Sequence, residues 1–192
     1  MRKNCVIWAG IVAVLCMSVS VLSGFPLTVN TRDDTEPQIS GGNVVWTYND
    51  GNDTEIMFYD GVKTLFLTNN SVNDEQPQIS GKNVVWEAYW TGNPSINMFD
   101  GEEVWLICSG SLGGNRFPRI FGKKIVWEHN DGHDKEIWYY SWIGFNGSSI
   151  IPLTNNSDDD VAPRISSKGI VWRSRDETDY EIHISPTPKT IK

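Results

Sequence analysis

Four copies of one spacing rule constrain this chain more than any other feature. A proline opens "PQIS" at Pro37 and Pro77, "PRIF" at Pro118 and "PRIS" at Pro163. Nine residues after each proline stands a tryptophan: Trp46, Trp86, Trp127 and Trp172. Ten residues after each tryptophan stands an isoleucine: Ile56, Ile96, Ile137 and Ile182. The repeat length itself drifts through 40, 41 and 45 residues, so the segment from proline to isoleucine is rigid and the variation falls after it. A period of this size marks a stack of similar supersecondary units.

Each unit reads as four short strands. "PQIS" is a brief first strand, and the Gly-Gly or Gly-Lys that follows makes a tight turn. "NVVW" supplies a β-branched second strand. "EIMFYD", "INMFD", "EIWYY" and "EIHI" supply a third, and "TLFLT", "VWLIC" and "IIPLT" a fourth beyond a turn. No helical period runs through three turns anywhere after the N-terminal segment. About 42 residues folded as a four-stranded sheet make one propeller blade, which must stack on neighbours to bury both faces. The predicted fold is therefore an all-β propeller of about four four-stranded blades. "PLTVNTRDDTEP" at 26–37 matches "PLTNNSDDDVAP" at 152–163, and the chain stops soon after "EIHI". This out-of-phase arrangement predicts that the N-terminal strand completes the last blade and closes the ring; an open arc or an oligomer of arcs is the competing reading.

The first 23 residues belong to something else. "MRK" carries two positive charges, an apolar run follows from Val6 to Met17, and small residues lead to a Val21-x-Ser23 pattern. These features read as a secretory signal, with an uncleaved membrane anchor as the alternative. The domain plan is thus 1–23 signal, 24–185 propeller and 186–192 C-terminal tail, in an exported protein that is secreted, on the cell surface or periplasmic. The membrane enters only through that N-terminal segment if it stays uncleaved. Of three cysteines, Cys5 and Cys16 lie in the signal, and Cys108 alone cannot staple its own chain.

The repeat resembles the TolB-like repeat of exported propellers. "LTNNSVNDEQPQISGKNVVWEAYW", with "INMFDG" after it, follows that pattern: Leu-Thr, a polar loop, Pro-x-strand, a turn, a β-strand with an aromatic and a closing Asp/Gly turn. The likeness covers roughly residues 25–185. It departs where "SGGN" or "SGKN" replaces the usual "SPDG" turn, and in having fewer than six blades. What the resemblance implies is a non-catalytic protein–protein interaction or structural module at the cell envelope.

The chain holds 24 acidic against 16 basic side chains, and Arg2 and Lys3 sit in the signal. That balance excludes nucleic acid, whose phosphates need clustered Lys and Arg. The expected partners are proteins at the cell envelope, with a glycan as the further candidate. A propeller places the loops between second and third strands on the same end as the connections between blades. That end collects the candidate binding residues Asp50, Asp53, Asp131, Asp134, Asp158, Asp159 and Asp160, while Lys63, Lys82, Lys123, Lys124 and Lys168 fall on the opposite end. "NDGND" at 49–53 is at once a turn signal, because Asn and Gly tolerate positive φ, and a fragment of an oxygen-rich calcium loop. Both readings stand at this stage: no cofactor is expected on the turn reading, calcium on the other. His129 and His133 flank the equivalent turn in the third unit, but a metal site would need a third ligand that the repeat does not offer. Trp90 and Trp142, off the repeat pattern, are candidates to stack on a sugar or a partner. No catalytic motif is present, so the expectation is a non-enzyme. A calcium-dependent adhesion module and a carbohydrate-active lyase or hydrolase on a propeller scaffold are the alternatives.

Overall fold

The computed structural model describes residues 24–90, 92–110, 113–142 and 147–188. The segment read as the export signal lies outside them. The described residues hold fifteen strands and no helix. The first sheet is β1 (Asp34–Ser40), β2 (Asn43–Asn49), β3 (Thr54–Tyr59) and β4 (Thr64–Phe66). The second is β5 (Asp74–Ser80), β6 (Asn83–Ala88), β7 (Ser95–Phe99) and β8 (Val104–Cys108). The third is β9 (Asn115–Phe121), β10 (Lys124–Asn130), β11 (Lys135–Trp142) and β12 (Ser148–Pro152), and the fourth β13 (Asp160–Ile165), β14 (Ile170–Arg175) and β15 (Tyr180–Ser185). Every sheet is antiparallel and runs in chain order. Neighbours in sequence pair directly, as two-residue turns require.

The sheets stack in series through residues 31–192, the first strand of each lying against the sheet before it. This geometry explains the Val-Val-Trp run, because the second strand is covered on both faces. Val45, Ile56 and Phe58 of the first blade meet Val84, Trp86 and Ala88 of the second. Val85, Ile96 and Met98 meet Ile125 and Trp127 of the third, whose Val126, Ile137 and Tyr139 meet Ile170 and Trp172 of the fourth. Alternate residues of one strand thus serve two different cores. The repeating tryptophans of blades two to four are inter-blade residues, as expected. Trp86 and Trp127 are fully buried.

Polar clamps recur with the same regularity. Each indole N–H donates to the residue twelve positions earlier: Trp46 to Asp34 and Trp86 to Asp74 at 2.7 Å, Trp127 to Asn115 and Trp172 to Asp160 at 2.9 Å. The residue before each proline adopts positive φ, at Glu36, Gln76, Phe117 and Ala162, between 53° and 56°. A register shift accompanies it in every blade. Such a bulge re-aims the backbone. The freed amides of Gln76, Phe117 and Ala162 donate to carboxylates of the preceding blade, Glu36, Glu87 and Glu128, at 2.7–2.8 Å. Burying those backbone donors without partners would cost about 1–3 kcal/mol each, so the three acids fasten blade to blade.

The expected closure does not form. Residues 24–30 contain no strand, and the fourth sheet has three strands. The physical reason is one of register. In complete blades the pairing residues precede the leucine: Thr64–Phe66 before Leu67 and Ser148–Pro152 before Leu153. The matching residues before Leu27 include Gly24, Phe25 and Pro26. A proline is tolerated there, since Pro152 pairs with Trp138 in the third blade, but Gly24 stands where that blade has Ile150, and glycine weakens a strand through entropy.

Candidate functional site

Loops between second and third strands, and the connections between blades, do gather at one end. Asn70, in the connection after the first blade, donates its amide to Glu55 at 2.7 Å. Asn156, after the third blade, does the same to Glu136 at 2.7 Å. The Lys135 amide donates to Asp159 at 3.1 Å.

Within these loops most of the conspicuous phrase is consumed by the turn. Asn49 and Asn130 side chains accept the amides of Gly51 and Gly132 at 2.7 and 2.8 Å. Asp50 accepts from Asn52 and Asp53, and Asp131 from His133 and Asp134. These amide bonds hold Asp50 and Asp131 below the usual carboxylate range. Gly51 sits at φ 101°, with the Arg32 guanidinium lying where a Cβ would be, so glycine is required there.

The second acid of each loop behaves differently. Burial, and then the charge of Asp50, push the Asp53 carboxyl up. Burial, Asp131 and Asp159 do the same to Asp134. Oδ1 of each has no hydrogen-bond partner. Two residues on, Glu55 and Glu136 are buried, each with Oε2 unpartnered. The carboxylate oxygens of Asp50, Asp53 and Glu55 lie within 4.8 Å of one another. The sequence signal that finds this set is Asp-x-x-Asp-x-Glu, at 50–55, 131–136 and again at 176–181. Attention to "NDGND" passed over the glutamate, which stands on a strand and looks like ordinary β-sheet composition.

The remaining candidates scatter. Asp158 is exposed and Asp159 half-buried, whereas Asp160 is 1% exposed and holds the Trp172 indole and the Asn156 amide group. Asp160 is thus spent on the blade core. Charge sorting between the ends is partial. Asp60 and Asp100 close turns on the lysine-bearing end, and Lys123 lies 3.8 Å from Asp100. His129 Nδ1 is 2.8 Å from Asn115 Oδ1 and its ring lies 4.4 Å from that of Trp138, while His133 is exposed in the turn. Trp142 faces Trp105 at 5.7 Å with Lys123 over its ring. Trp90 is 57% exposed and lines an apolar cleft of about 530 Å³ with Asn93, Ser95, Asn97, Val104 and Leu106. This cleft occupies the second blade at the positions where the other blades carry the acids. Burial raises the Cys108 thiol pKa.

No family model and no curated protein matches the chain in sequence. Solved structures do match in fold. TolB from Acinetobacter baumannii aligns at 20% identity over 79% of this chain and 40% of its own, with a TM-score of 0.53. The β-propeller domain of the Trilobed protease from Pyrococcus furiosus, described as having an open velcro topology, aligns at 13% over 78% and 51%, with a TM-score of 0.61. Pyrococcus horikoshii acylaminoacyl peptidase aligns at 11% over 78% and 25%, also at 0.61. The chain therefore spans about half the length of these structures or less. Identities this low speak for architecture alone, and the architecture agrees with the repeat: the chain is built of β-propeller blades like those of TolB.

Proposed function

We propose that this chain is a non-catalytic, exported propeller that binds a protein partner at the cell envelope through its acidic loop end. The observation that carries the reading is the third blade. There the exposed Asp131 and Asp158 flank Asp134 and Asp159, and the Asp134 carboxyl is pushed up first by burial and then by the charges of Asp131 and Asp159. A scaffold that tolerates such repulsion at a surface is suited to a basic partner, because the repulsion is relieved on binding. The signal-like N-terminus supports export. The cleft at Trp90 supports a non-catalytic role for that blade, because it is lined by amides, hydroxyls and apolar groups without an acid or base.

The test is crosslinking of the tagged full chain in its own cells, identification of the partner, and affinity measurement with purified components. The double reversal Asp131→Lys and Asp158→Lys should weaken binding by about tenfold or more and flatten its salt dependence. Both residues are exposed, and because Asp131 also caps its turn through the His133 and Asp134 amides, the single Asp158→Lys reversal, which leaves that turn intact, should weaken binding in the same direction. Equal affinity for the wild type and the double variant at low salt would remove the acidic end as the contact surface.

A further inference from the structure

The buried glutamate of the first blade has no place in that reading. Glu55 is completely buried, and only one of its carboxylate oxygens is engaged, by the Asn70 amide. Oε2 has no partner, and neither does Oδ1 of Asp53. A buried carboxylate oxygen without donor or cation costs several kcal/mol. The cost recurs at the same two atoms in the third blade, Asp134 Oδ1 and Glu136 Oε2, so it belongs to the design of the loop. The second blade supplies the internal control: Asn93 replaces the aspartate and is exposed, and Ser95 replaces the glutamate with its hydroxyl donating to the Ala88 carbonyl. In the fourth blade Glu181 is exposed and faces no such penalty.

We infer that Asp50, Asp53 and Glu55 form a calcium site between the turn of the first blade and the connection to the second. All the donors are hard carboxylate oxygens, which excludes the softer transition metals as preferred ligands. One carboxylate oxygen from each of the three residues comes within 4.8 Å of the other two, close enough to share one cation. Calcium also accepts the irregular geometry of a surface turn, while magnesium demands a near-ideal octahedron. Arg32 lies across Gly51, close enough to Asp50 to favour its ionised form. The other pair, Asp53 and Glu55, is the one that carries the orphaned oxygens. A bound ion would tie β3 to the connection that leads into β5, because the Asn70 amide already rests on Glu55.

This site does not depend on the protein-binding reading, and its test needs no partner. Equilibrium dialysis of the full chain against calcium should count bound ions in the wild type and one fewer in Glu55→Gln. Glutamine keeps the acceptor for Asn70, so the variant folds. Saturating calcium should raise the wild-type melting temperature by about 5–10 °C over chelator, and by less in the variant. Coincident melting curves in calcium and chelator overturn the site, as does an unchanged ion count in Glu55→Gln. A magnesium response as large as the calcium response overturns the assignment to calcium.

Discussion

The inner blades and the end blades obey one sequence rule and reach different environments. Ile137, ten residues after Trp127, is fully buried, while Ile182, ten residues after Trp172, is 71% exposed. Tyr139 is 2% exposed and its counterpart Ile184 is 76% exposed. The same contrast appears at the other end. Ile79 packs into the core between blades one and two, whereas Ile39 is 71% exposed, and Pro37 is exposed where Pro77, Pro118 and Pro163 are buried. A blade therefore does not own its core. It owns two half-interfaces, and burial arrives only with a neighbour, as expected for repeats whose stability is largely a sum of nearest-neighbour terms.

The sharpest way to break this comparison is to truncate the same position in two blades. Ile137→Ala removes a side chain from a packed interface and should cost about 2–5 kcal/mol in urea unfolding. Ile182→Ala should stay within about 0.5 kcal/mol, as for a surface change. Equal costs would show that another surface covers β15 in solution, and a dilution series of the melting temperature would then identify a second copy.

How much of this was legible beforehand follows the same division. Whatever recurs inside a unit was readable from spacing: the strands, the tight turns, the inter-blade tryptophans and the blade architecture. What joins one unit to the next was not. The carboxylate that receives the Phe117 amide is Glu87, thirty residues earlier, and no local pattern announces that pairing. Asp160 read as one more acid in a solvated run, but the Trp172 indole draws it inside. Glu55 read as strand composition, and only its burial beneath the next blade's connection makes it unusual. The closing strand failed for a subtler reason. The match at 26–37 was real, but the residues that must pair lie before the matched leucine, where Gly24 stands in place of the third blade's Ile150.

A second contrast separates blade two from blade three. Trp86 donates to Asp74, Trp127 to Asn115, and both acceptors are fully buried. Only the aspartate titrates. Burial, aided by the charge of Glu55, raises its pKa from 3.8 to about 6. The folded state thus binds this proton more tightly than the unfolded chain does. Its contribution is most favourable below about pH 4 and is lost as the pH rises through about 6, a loss of up to about 3 kcal/mol. Asp74→Asn should remove that slope. The asparagine costs about 1 kcal/mol at pH 4, where it meets the Asn70 donor, and gains on the wild type as the pH climbs to 7.5. Denaturant titrations at both pH values, in chelator, read the difference. Parallel pH profiles for variant and wild type would place the titration elsewhere.

The smallest expected effect tests the comparison at the turns. Three residues after its proline, Ser40 accepts the Gly81 amide and Ser80 the Gly122 amide, both at 2.8 Å, so the first turns of blades one and two are tied to the next blade. Ser166 holds the same place in the fourth blade, and its hydroxyl bonds only within its own turn, to Lys168 and Gly169. Ser80→Ala should cost about 1 kcal/mol, the worth of one partly buried hydrogen bond, and Ser166→Ala only a few tenths. Hydrogen exchange at the Gly122 amide separates this from a general loosening. In Ser80→Ala that amide should exchange faster while strand amides of blades one and four keep their wild-type rates. If Ser166→Ala proved as costly as Ser80→Ala, the serine would be serving its own turn in each blade that carries it, and the link between blades would rest on the carboxylate clamps and the apolar interfaces alone.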